Sequence, residues 1–306
     1  MTEHQQTPPE VSQPPPPESP PKLSPEDTLE VPGKIPGATY RIGCVSYLNA
    51  KPLIHSLDDQ DDVHVRYDVP SRLFDDLVSD EVDVALCPVA DLHRREAELC
   101  VVPVGGIASE DSTLTVRLFS QVPLDQITQV HADTDSHTSV MLLRVLSSEI
   151  FGRMPAVIDY HVREHVAEGR LIEQPQAVLL IGDKVMTNSP LAVRYPYQLD
   201  LGEAWYAQTG LPFVFAVWTS RVGVDLGNLP QRLEQTRLRN AGRIDELVAR
   251  YAQVHGWAND LAGEYLGRIL TYAVGPRELE AIERFSALAD ALGLLPCRHP
   301  LQLYPS

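Results

Sequence analysis

The chain has 306 residues, 43% of them hydrophobic and 22% charged, with a formal net charge of -17. This is the composition of a globular protein with room for two domains of roughly 100–150 residues. The negative charge excludes nucleic acid and anionic membranes as partners, because both are bound through clustered positive side chains. No run approaches the ~20 apolar residues of a membrane span, and the N-terminus lacks the charged and apolar regions of a secretion signal. We therefore expect a cytoplasmic protein.

Residues 1–39 differ in composition from the rest of the chain. Eleven of the 26 prolines lie within residues 1–36, where large apolar side chains are rare. Such a segment buries too little apolar surface to offset the entropy of ordering it. We predict that residues 1–39 form a disordered tail.

The elements predicted after the tail begin with a strand, a tight loop and a helix. Tyr40 to Val45 is a short apolar run typical of a buried strand, and Pro52 lies near the start of a helix predicted at 50–57. The next unit repeats this order, with a strand at 64–67, a helix at 71–79 and a strand at 82–87. Strands that alternate with short helices predict a parallel sheet with right-handed crossovers.

The middle third predicts a sheet of its own. Residues 113–120 alternate polar with apolar side chains, as a half-buried strand does, and a crossing between two lobes is expected here. Further elements follow as strands at 127–132, 156–160 and 177–181 and a helix at 138–151. After an apolar strand at 213–218 the pattern is helical, at 231–255, 260–274 and 277–292. Together these patterns predict an α/β protein of two lobes with a cleft between them.

Three loops leave the carboxyl ends of predicted parallel strands, where open α/β sheets bind ligands. They comprise residues 46–49, 135–139 and 182–183. Ser136 to Ser139 opens a helix, so its hydroxyls and backbone N–H groups would either bind an anion or only cap the helix. Asn49 has the same two interpretations, since its amide suits both helix capping and the binding of a hydroxyl or carboxylate.

Cofactor and nucleophile motifs are missing from these loops, which contain no G-x-G-x-x-G, no G-x-x-x-x-G-K-S/T and no G-x-S-x-G. His161 to His165 matches the zinc pattern H-x-x-E-H, but it lies in a charged stretch without a further ligand. We interpret it as surface charge and predict no metal. The cysteines, which form no C-x-x-C pair, are expected to be reduced thiols. They are Cys44, Cys87, Cys100 and Cys297.

Five segments follow one another in an order that is familiar from one enzyme family. They are Arg41-Ile42-Gly43 running into Ser46 to Leu53, Leu118 to Leu124, Asp135 to Ser139, Leu180 to Asp183, and Trp205 to Trp218. Each segment is a weak signal alone. In this order, across about residues 40–300, they resemble the chorismate dehydratase family, which opens the futalosine route to menaquinone.

The resemblance implies a type 2 periplasmic-binding-protein-like fold, with residues 40–121 and 220–306 in lobe 1 and residues 122–219 in lobe 2. It also implies the elimination of water from chorismate to give 3-((1-carboxyvinyl)oxy)benzoate, without a metal or redox cofactor. Chorismate is then the expected small-molecule partner. Losing the C3 proton and the C4 hydroxyl makes the ring aromatic, so the enzyme mainly has to orient the substrate and stabilise charge.

The resemblance also implies the site residues. Asn49 matches the family's active-site Asn, which is expected to hold the departing C4 hydroxyl, and Thr115 is the counterpart of an active-site Ser. The expected substrate-binding residues are Ser46, Tyr47, Thr113, Ser136, His137, Thr138, Ser139, Gly182 and Asp183. Residues 111–113 replace a frequent Gly-Pro-Val, and His137 replaces an Arg, which removes a fixed charge from a carboxylate-binding loop. No side chain of these loops is an obvious general base, which is consistent with proton transfer to the substrate's enolpyruvyl carboxylate.

Three other functions fit parts of the pattern. The main alternative is a solute-binding protein of the same fold for a small carboxylate, although a proline-rich tail differs from a secretion signal. A zinc hydrolase would use His161 and His165. A sister family of the same fold acts on cyclic dehypoxanthine futalosine, but its opening loop is Ser-Pro-Cys-Pro-Asn-like, and residues 46–49 fit the dehydratase loop better.

Overall fold

The computed structural model describes residues 40–94, 97–133, 135–161, 166–167, 170–171, 175–187 and 194–305. The predicted tail, residues 1–39, lies outside these ranges, and so do residues 162–165 of the H-x-x-E-H segment. The strands are β1 (Tyr40–Val45), β2 (Val63–Asp68), β3 (Val84–Pro88), β4 (Leu99–Ser109), β5 (Val116–Ser120), β6 (Gln129–Asp133), β7 (Ala156–Tyr160), β8 (Val166–Ala167), β9 (Arg170–Leu171), β10 (Ala177–Ile181), β11 (Tyr197–Asp200), β12 (Phe213–Arg221) and β13 (Leu270–Thr271).

The helices are α1 (Lys51–Ile54), α2 (Pro70–Val78), α3 (His137–Phe151), α4 (Lys184–Thr187), α5 (Leu201–Thr209), α6 (Leu229–Ala241), α7 (Ile244–Tyr251), α8 (Asn259–Glu264) and α9 (Pro276–Ala291). Short 3-10 turns lie at Leu48–Ala50, Val89–His93, Leu124–Gln126 and Gln253–His255, and a π-helical turn lies at Tyr265–Ile269. Within the described ranges, no helix is both long enough and apolar enough to cross a membrane.

The first sheet has six strands in the order β13-β4-β12-β3-β1-β2. β1 is parallel to both β2 and β3, as the alternation of strands and helices predicts. β12 runs antiparallel to β3 and to β4, so the sheet is mixed rather than fully parallel. β3 is buried along its whole length, which agrees with its continuous apolar sequence.

The second sheet has five strands in the order β11-β5-β10-β6-β7. β6 is parallel to β7 and to β10, while β5 lies between β10 and β11 and is antiparallel to both. The middle third of the chain therefore has its own sheet, as predicted. A separate two-stranded sheet pairs β8 with β9.

The expected lobe limits assign two strands to one lobe, but each of these strands pairs with the sheet of the other lobe. β5 falls within residues 40–121 but pairs with β10 and β11 of the second sheet, and β12 begins before residue 219 but pairs with β3 and β4 of the first sheet. The half-buried alternation at 113–120 thus marks the first strand of the second sheet. We propose that the lobes instead meet within residues 110–115 and between β11 and β12.

The 11-residue strand β4 has no clear signal in the sequence, because Pro103, Gly105 and Gly106 interrupt its apolar run. Its pairing with β12 shifts register across this stretch, and such an irregularity tolerates proline inside a sheet. Gly106 is required by close approach, since a Cβ there would lie 2.6 Å from the carbonyl oxygen of Ala216.

The C-terminal third is less continuously helical than its pattern predicts. Residues 231–255 hold two main helices, α6 and α7, which separate after Gly242. Residues 260–274 hold only α8, the π-helical turn and β13. Leu270 pairs with Ser109 of β4, so the backbone here joins a sheet instead of continuing a helix. The predicted helix at 277–292 is confirmed as α9.

One apolar core joins the two sheets. It includes Ile42 and Val84 from the first sheet and Leu118 and Leu179 from the second. Phe119, Val178 and Leu180 belong to a smaller cluster, since neighbouring residues of a strand face opposite sides of the sheet. The shared core fixes the ends of the strands, and thereby the loops that follow them.

Candidate active site

A pocket opens at the carboxyl ends of β1, β3 and β10, whose last residues Val45, Pro88 and Ile181 lie on its wall. It encloses about 550 Å³ of empty space, part of it open to solvent. The lining residues are Val45, Tyr47, Asn49, Pro70, Pro88, Ile107, Thr113, Thr115, Val116, Ser136, Ser139, Ile181, Gly182, Phe215, Ala216, Tyr265 and Leu270. None of these residues, all from the described part of the chain, carries a formal charge.

Asn49 lies in the 3-10 turn between β1 and α1, where its neighbours Leu48 and Ala50 are fully buried. It does not cap a helix, because Ala50 precedes α1 and no side chain makes a capping bond there. The capping interpretation of Asn49 is therefore wrong. Its Oδ1 atom is buried and has no hydrogen-bond partner among the described residues. An unpaired buried carbonyl costs about 1–3 kcal/mol, which a ligand donor would offset.

Thr113 and Thr115 lie in the first connection between the sheets, which Asp200 holds in place. The Asp200 carboxylate accepts hydrogen bonds from the backbone N–H groups of Thr113 at 3.0 Å and Leu114 at 2.9 Å. Leu114 has φ of 58°, a left-handed conformation that costs a residue with a Cβ about 1–2 kcal/mol. The bonds to Asp200 offset this cost and bring both threonines to the pocket wall.

α3 begins at the pocket. The Ser136 side chain accepts a hydrogen bond from the Ser139 N–H at 3.3 Å, and the Ser139 hydroxyl donates to Ser136 Oγ at 3.2 Å. Capping by Ser136 is thereby confirmed. Both serines also line the pocket, where the free N–H groups and dipole of this 15-residue helix favour an anion. Anion binding here stays a prediction.

His137 and Thr138, the first residues of α3, do not line the pocket. His137 Nδ1 lies 2.8 Å from Asp91 Oδ1, and 44% of its side chain is exposed. This hydrogen bond with Asp91 raises the pKa of His137, so the protonated form is favoured in the folded protein. Thr138 is fully buried, and its hydroxyl accepts a hydrogen bond from the Ala90 N–H at 3.1 Å.

The ring of Tyr47 packs on the backbone of Gly182. A Cβ at Gly182 would lie 3.3 Å from three atoms of that ring, and its φ of +64° also favours glycine. The Tyr47 hydroxyl donates to Asp135 Oδ2 at 3.1 Å, and Lys184 Nζ donates to the same oxygen at 2.6 Å. Lys184 also pairs with Asp133 at 2.5 Å, where burial raises the pKa of the Asp133 carboxyl. These contacts fix Tyr47 at the pocket.

Asp183 connects three parts of the chain. Its carboxylate accepts hydrogen bonds from Leu48 N–H at 3.2 Å, His255 Nδ1 at 2.9 Å and Trp257 Nε1 at 2.9 Å. Leu48 follows β1 of the first sheet, while Asp183 follows β10 of the second. Asp183 therefore joins the turn that holds Asn49 to the opposite sheet and to the C-terminal segment.

Comparison with known proteins identifies the family. A family model described as menaquinone biosynthesis matches residues 40–291. The chain belongs to the menaquinone biosynthesis family. A protein named chorismate dehydratase from Thermus thermophilus is 31% identical over 270 residues, which cover 83% of this chain and 96% of the relative. The resemblance carried by the five sequence segments is thereby confirmed.

Solved structures agree on the fold of this family member. A protein from Archaeoglobus fulgidus has a TM-score of 0.62 at 13% identity, covering 84% of this chain and 98% of that chain. The periplasmic aliphatic sulphonate binding protein of Escherichia coli has a TM-score of 0.55 at 13% identity, covering 89% and 95%. The predicted periplasmic-binding-protein-like fold is therefore confirmed, and at this identity the likeness shows the fold alone.

The structure brings together seven of the eleven residues predicted for the site of this menaquinone biosynthesis family member. Those on the pocket wall are Tyr47, Asn49, Thr113, Thr115, Ser136, Ser139 and Gly182. Ser46, His137, Thr138 and Asp183 are not on it. The Ser46 side chain is exposed. His137 contacts Asp91, Thr138 accepts from the Ala90 N–H, and Asp183 accepts three hydrogen bonds from outside the pocket wall. A direct substrate contact by these four has no support from the pocket wall.

Tyr265 is the site residue that the sequence gives no reason to choose. It lies in a segment whose helical spacing predicts only core packing, and it reaches the pocket because the π-helical turn leads into β13, which pairs with β4. Asp200 precedes Leu201-Gly202-Glu203, a helix-start signature that predicts capping. The capping signature does not predict the hydrogen bonds that Asp200 accepts from the N–H groups of Thr113 and Leu114.

No cluster of three or more His, Cys, Asp or Glu side chains within the described ranges is arranged to hold a metal ion. The expectation that the protein needs none stays a prediction, as does the interpretation of His161 and His165.

The four cysteines are free thiols, as predicted. Burial raises the pKa of Cys44 to about 12, which keeps that thiol unreactive.

Proposed function

We propose that this protein is a chorismate dehydratase, a hydro-lyase that removes water from chorismate without a metal or redox cofactor. Family membership and the Thermus thermophilus relative support this activity. The observation that carries it is that Asn49 and Thr115, which match the family's active-site pair, line one pocket although they are far apart in the chain. A cytoplasmic location is part of the proposal, and cell fractionation tests it.

The chemical character of the pocket supports a carboxylated ring as ligand. Val45, Ile107 and Phe215 offer apolar surface to a ring, while Ser136 and Ser139 present hydroxyls at the start of α3. Because no lining residue is charged, we propose that carboxylates are bound by hydroxyls and by the α3 N-terminus.

The proposed reaction balances with few protein groups. The C3–H bond breaks, its electron pair forms the C3–C4 π bond of the aromatic ring, and the C4–O bond breaks. The proton passes to the substrate's own enolpyruvyl carboxylate and then to the departing hydroxide, which leaves as water. Asn49 holds the departing hydroxyl, and the pocket orients the ring for this elimination. The absence of Asp, Glu and His from the described pocket wall supports the substrate as base.

The test is turnover of chorismate by the full-length protein, followed by absorbance and by mass spectrometry of the aromatic product. Wild type is expected to form 3-((1-carboxyvinyl)oxy)benzoate, and Asn49→Ala to lower kcat about 100-fold, as loss of one positioned polar group does. Asn259→Ala is the matched control, because Asn259 is exposed and lies off the pocket. Full activity of Asn49→Ala would exclude the proposed role of Asn49. Chorismate binding by wild type without any turnover would favour the solute-binding alternative.

A further inference from the structure

Tyr265 lies between the two residues that match the family's active-site pair. It is only 1% exposed and lines the pocket together with Asn49 and Thr115. Its hydroxyl lies 2.7 Å from Thr115 Oγ1. Tyr265 begins a π-helical turn, an irregularity that is frequent at functional sites because it re-aims a side chain.

The number of hydroxyl protons limits the possible directions of these hydrogen bonds. The Thr115 hydroxyl donates to the Thr113 carbonyl oxygen at 3.3 Å, and a hydroxyl has only one proton to donate. Either hydroxyl can donate in the bond between Tyr265 and Thr115, and Tyr265 is the donor when Thr115 uses its proton for Thr113. The tyrosine oxygen keeps its own acceptor capacity, and the Asn49 side chain is near enough to lower the pKa of Tyr265 against the larger effect of burial.

This arrangement determines which atoms remain for a ligand. If the Asn49 amide nitrogen donates to Tyr265, its Oδ1 atom is left as a buried acceptor, and Oδ1 has no partner within the described residues. Burial raises the pKa of Tyr265, so the phenol stays a neutral donor. In this arrangement the Tyr265 hydroxyl acts on the side chains of both Thr115 and Asn49.

The ring of Tyr265 is itself held in place. It stacks on Trp257 with centroids 4.7 Å apart and planes 14° from parallel. The Trp257 indole donates to Asp183, which also accepts from the N–H of Leu48, the neighbour of Asn49. Asp183 therefore holds the neighbour of Asn49 and the ring that stacks on Tyr265.

We propose that Tyr265 is a positioning residue whose hydroxyl orients the side chains of both Thr115 and Asn49 toward the substrate. This inference rests on the proposed function and adds a residue to its site. Without the hydroxyl, Thr115 and the Asn49 amide are free to rotate, and the departing C4 hydroxyl is held in fewer productive orientations. Loss of that one oxygen keeps the ring and its stacking on Trp257.

The test compares Tyr265→Phe with Tyr272→Phe in the full-length protein, using chorismate turnover. Tyr272 supplies a matched control, because its buried hydroxyl has no partner among the described residues and it does not line the pocket. Tyr265→Phe is expected to lower kcat about 10- to 100-fold with KM within about 3-fold of wild type. Tyr272→Phe is expected to leave both constants unchanged.

A double-mutant cycle separates positioning from a merely structural role. Because Tyr265 acts partly through Thr115, Tyr265→Phe combined with Thr115→Val is expected to lower kcat by clearly less than the product of the two single effects. Effects that multiply, or a kcat of Tyr265→Phe within 2-fold of an active wild type, would overturn only the role of Tyr265. A wild type that does not convert chorismate would overturn the proposed function as well. Should Tyr265→Phe not fold, Trp257→Leu, which removes the ring that holds Tyr265 in place, takes its part: a lower kcat with KM within about 3-fold of wild type supports the role of Tyr265, and an unchanged kcat overturns it.

Discussion

Gly182 allows the ring of Tyr47 to reach the pocket, and adding one methyl group at Gly182 tests this role. Gly182→Ala would add a Cβ 3.3 Å from the ring at a φ of +64°. We expect the free energy of unfolding to fall by about 1–3 kcal/mol, because the left-handed conformation and the crowding both cost energy. We also expect kcat/KM for chorismate to fall, because Tyr47 must shift. Urea denaturation and steady-state kinetics measure the two effects.

Gly210→Ala separates backbone strain from crowding of the ring. Gly210 has nearly the same φ, +68°, but nothing lies within 4 Å of the position of an added Cβ. It should lower stability by about 1 kcal/mol and leave kcat/KM unchanged. Equal kinetic losses in the two variants would show that contact with Tyr47 is not the cause.

His137 makes stability depend on pH. Asp91 raises the pKa of His137 chiefly through their hydrogen bond, while Arg94 lowers it and Asp75 raises it. A raised folded pKa means that the stabilisation is fully present below the unfolded value near 6.5 and is lost as the pH rises through the folded pKa. Wild type should therefore exceed His137→Gln in stability more at pH 5.5 than at pH 9. Since the side chain is 44% exposed, the difference should be about 1 kcal/mol or less.

Denaturation of both proteins across this pH range measures the effect. Asp75 and Arg94 are retained in each, so their titration cancels in the comparison. A stability difference that grows toward pH 9 has the wrong sign for an imidazolium held by Asp91 and would contradict the assignment.

The sequence predicts the site best where it depends on local elements. β1, β7 and β10 are predicted to the residue, and the loops after β1 and β10, which leave the carboxyl ends of strands in different sheets, both reach the pocket. The prediction fails where a segment's partner is distant in the chain. Residues 260–274 have helical spacing, but pairing with β4 turns part of them into β13, and no local pattern contains that pairing.

Asp183, in the loop after β10, contacts the turn after β1 and the C-terminal segment. Asp183→Asn replaces a carboxylate that accepts three hydrogen bonds with an amide that has one acceptor oxygen. We expect unfolding to become easier by about 2–4 kcal/mol, because at least one buried donor loses its partner. Thermal and urea denaturation test this. Asp159→Asn is the control, since Asp159 is an exposed carboxylate of β7.

Kinetics distinguish a local effect of Asp183 from a general one. Loss of the bonds to Leu48 and Trp257 should also lower kcat, because Leu48 adjoins Asn49 and Trp257 stacks on Tyr265. If Asp183→Asn is destabilised but retains the kcat of wild type at a temperature where both are folded, Asp183 does not position the site.

In the whole molecule, the two-lobed α/β fold expected from the sequence is confirmed, while the limits of the lobes stay a prediction, for which sheet pairing leads us to propose earlier positions in the chain. Alternation at 113–120 identifies a half-buried strand without identifying the sheet that it joins. Sheet membership depends on pairing with β10 and β11, which begin about 60 and 80 residues later. The site follows the same rule, since Asn49 and Thr115 match family motifs whereas Tyr265 and Asp200 act through contacts distant in sequence.

Asp200 ties together the two connections between the sheets. It ends β11 and caps α5 through Gly202 N–H at 3.0 Å, while it also accepts from the N–H groups of Thr113 and Leu114 in the first connection. Asp200→Asn would turn an N–H donor toward at least one of these N–H groups. We expect the free energy of unfolding to fall by about 3 kcal/mol. We also expect KM for chorismate to rise, because Thr113 and Thr115 are no longer held at the pocket wall and the spacing of the lobes is no longer fixed.

The control for this prediction is Asp225→Asn, which alters an exposed carboxylate that accepts one backbone N–H, from Gly227, away from both connections. It should lower stability by no more than about 1 kcal/mol and leave KM unchanged. Urea denaturation followed by tryptophan fluorescence and circular dichroism, together with turnover kinetics, measures both variants. If Asp200→Asn loses stability while KM stays at the wild-type value, Asp200 supports α5 alone, and the geometry of the cleft does not depend on its hold on residues 113 and 114.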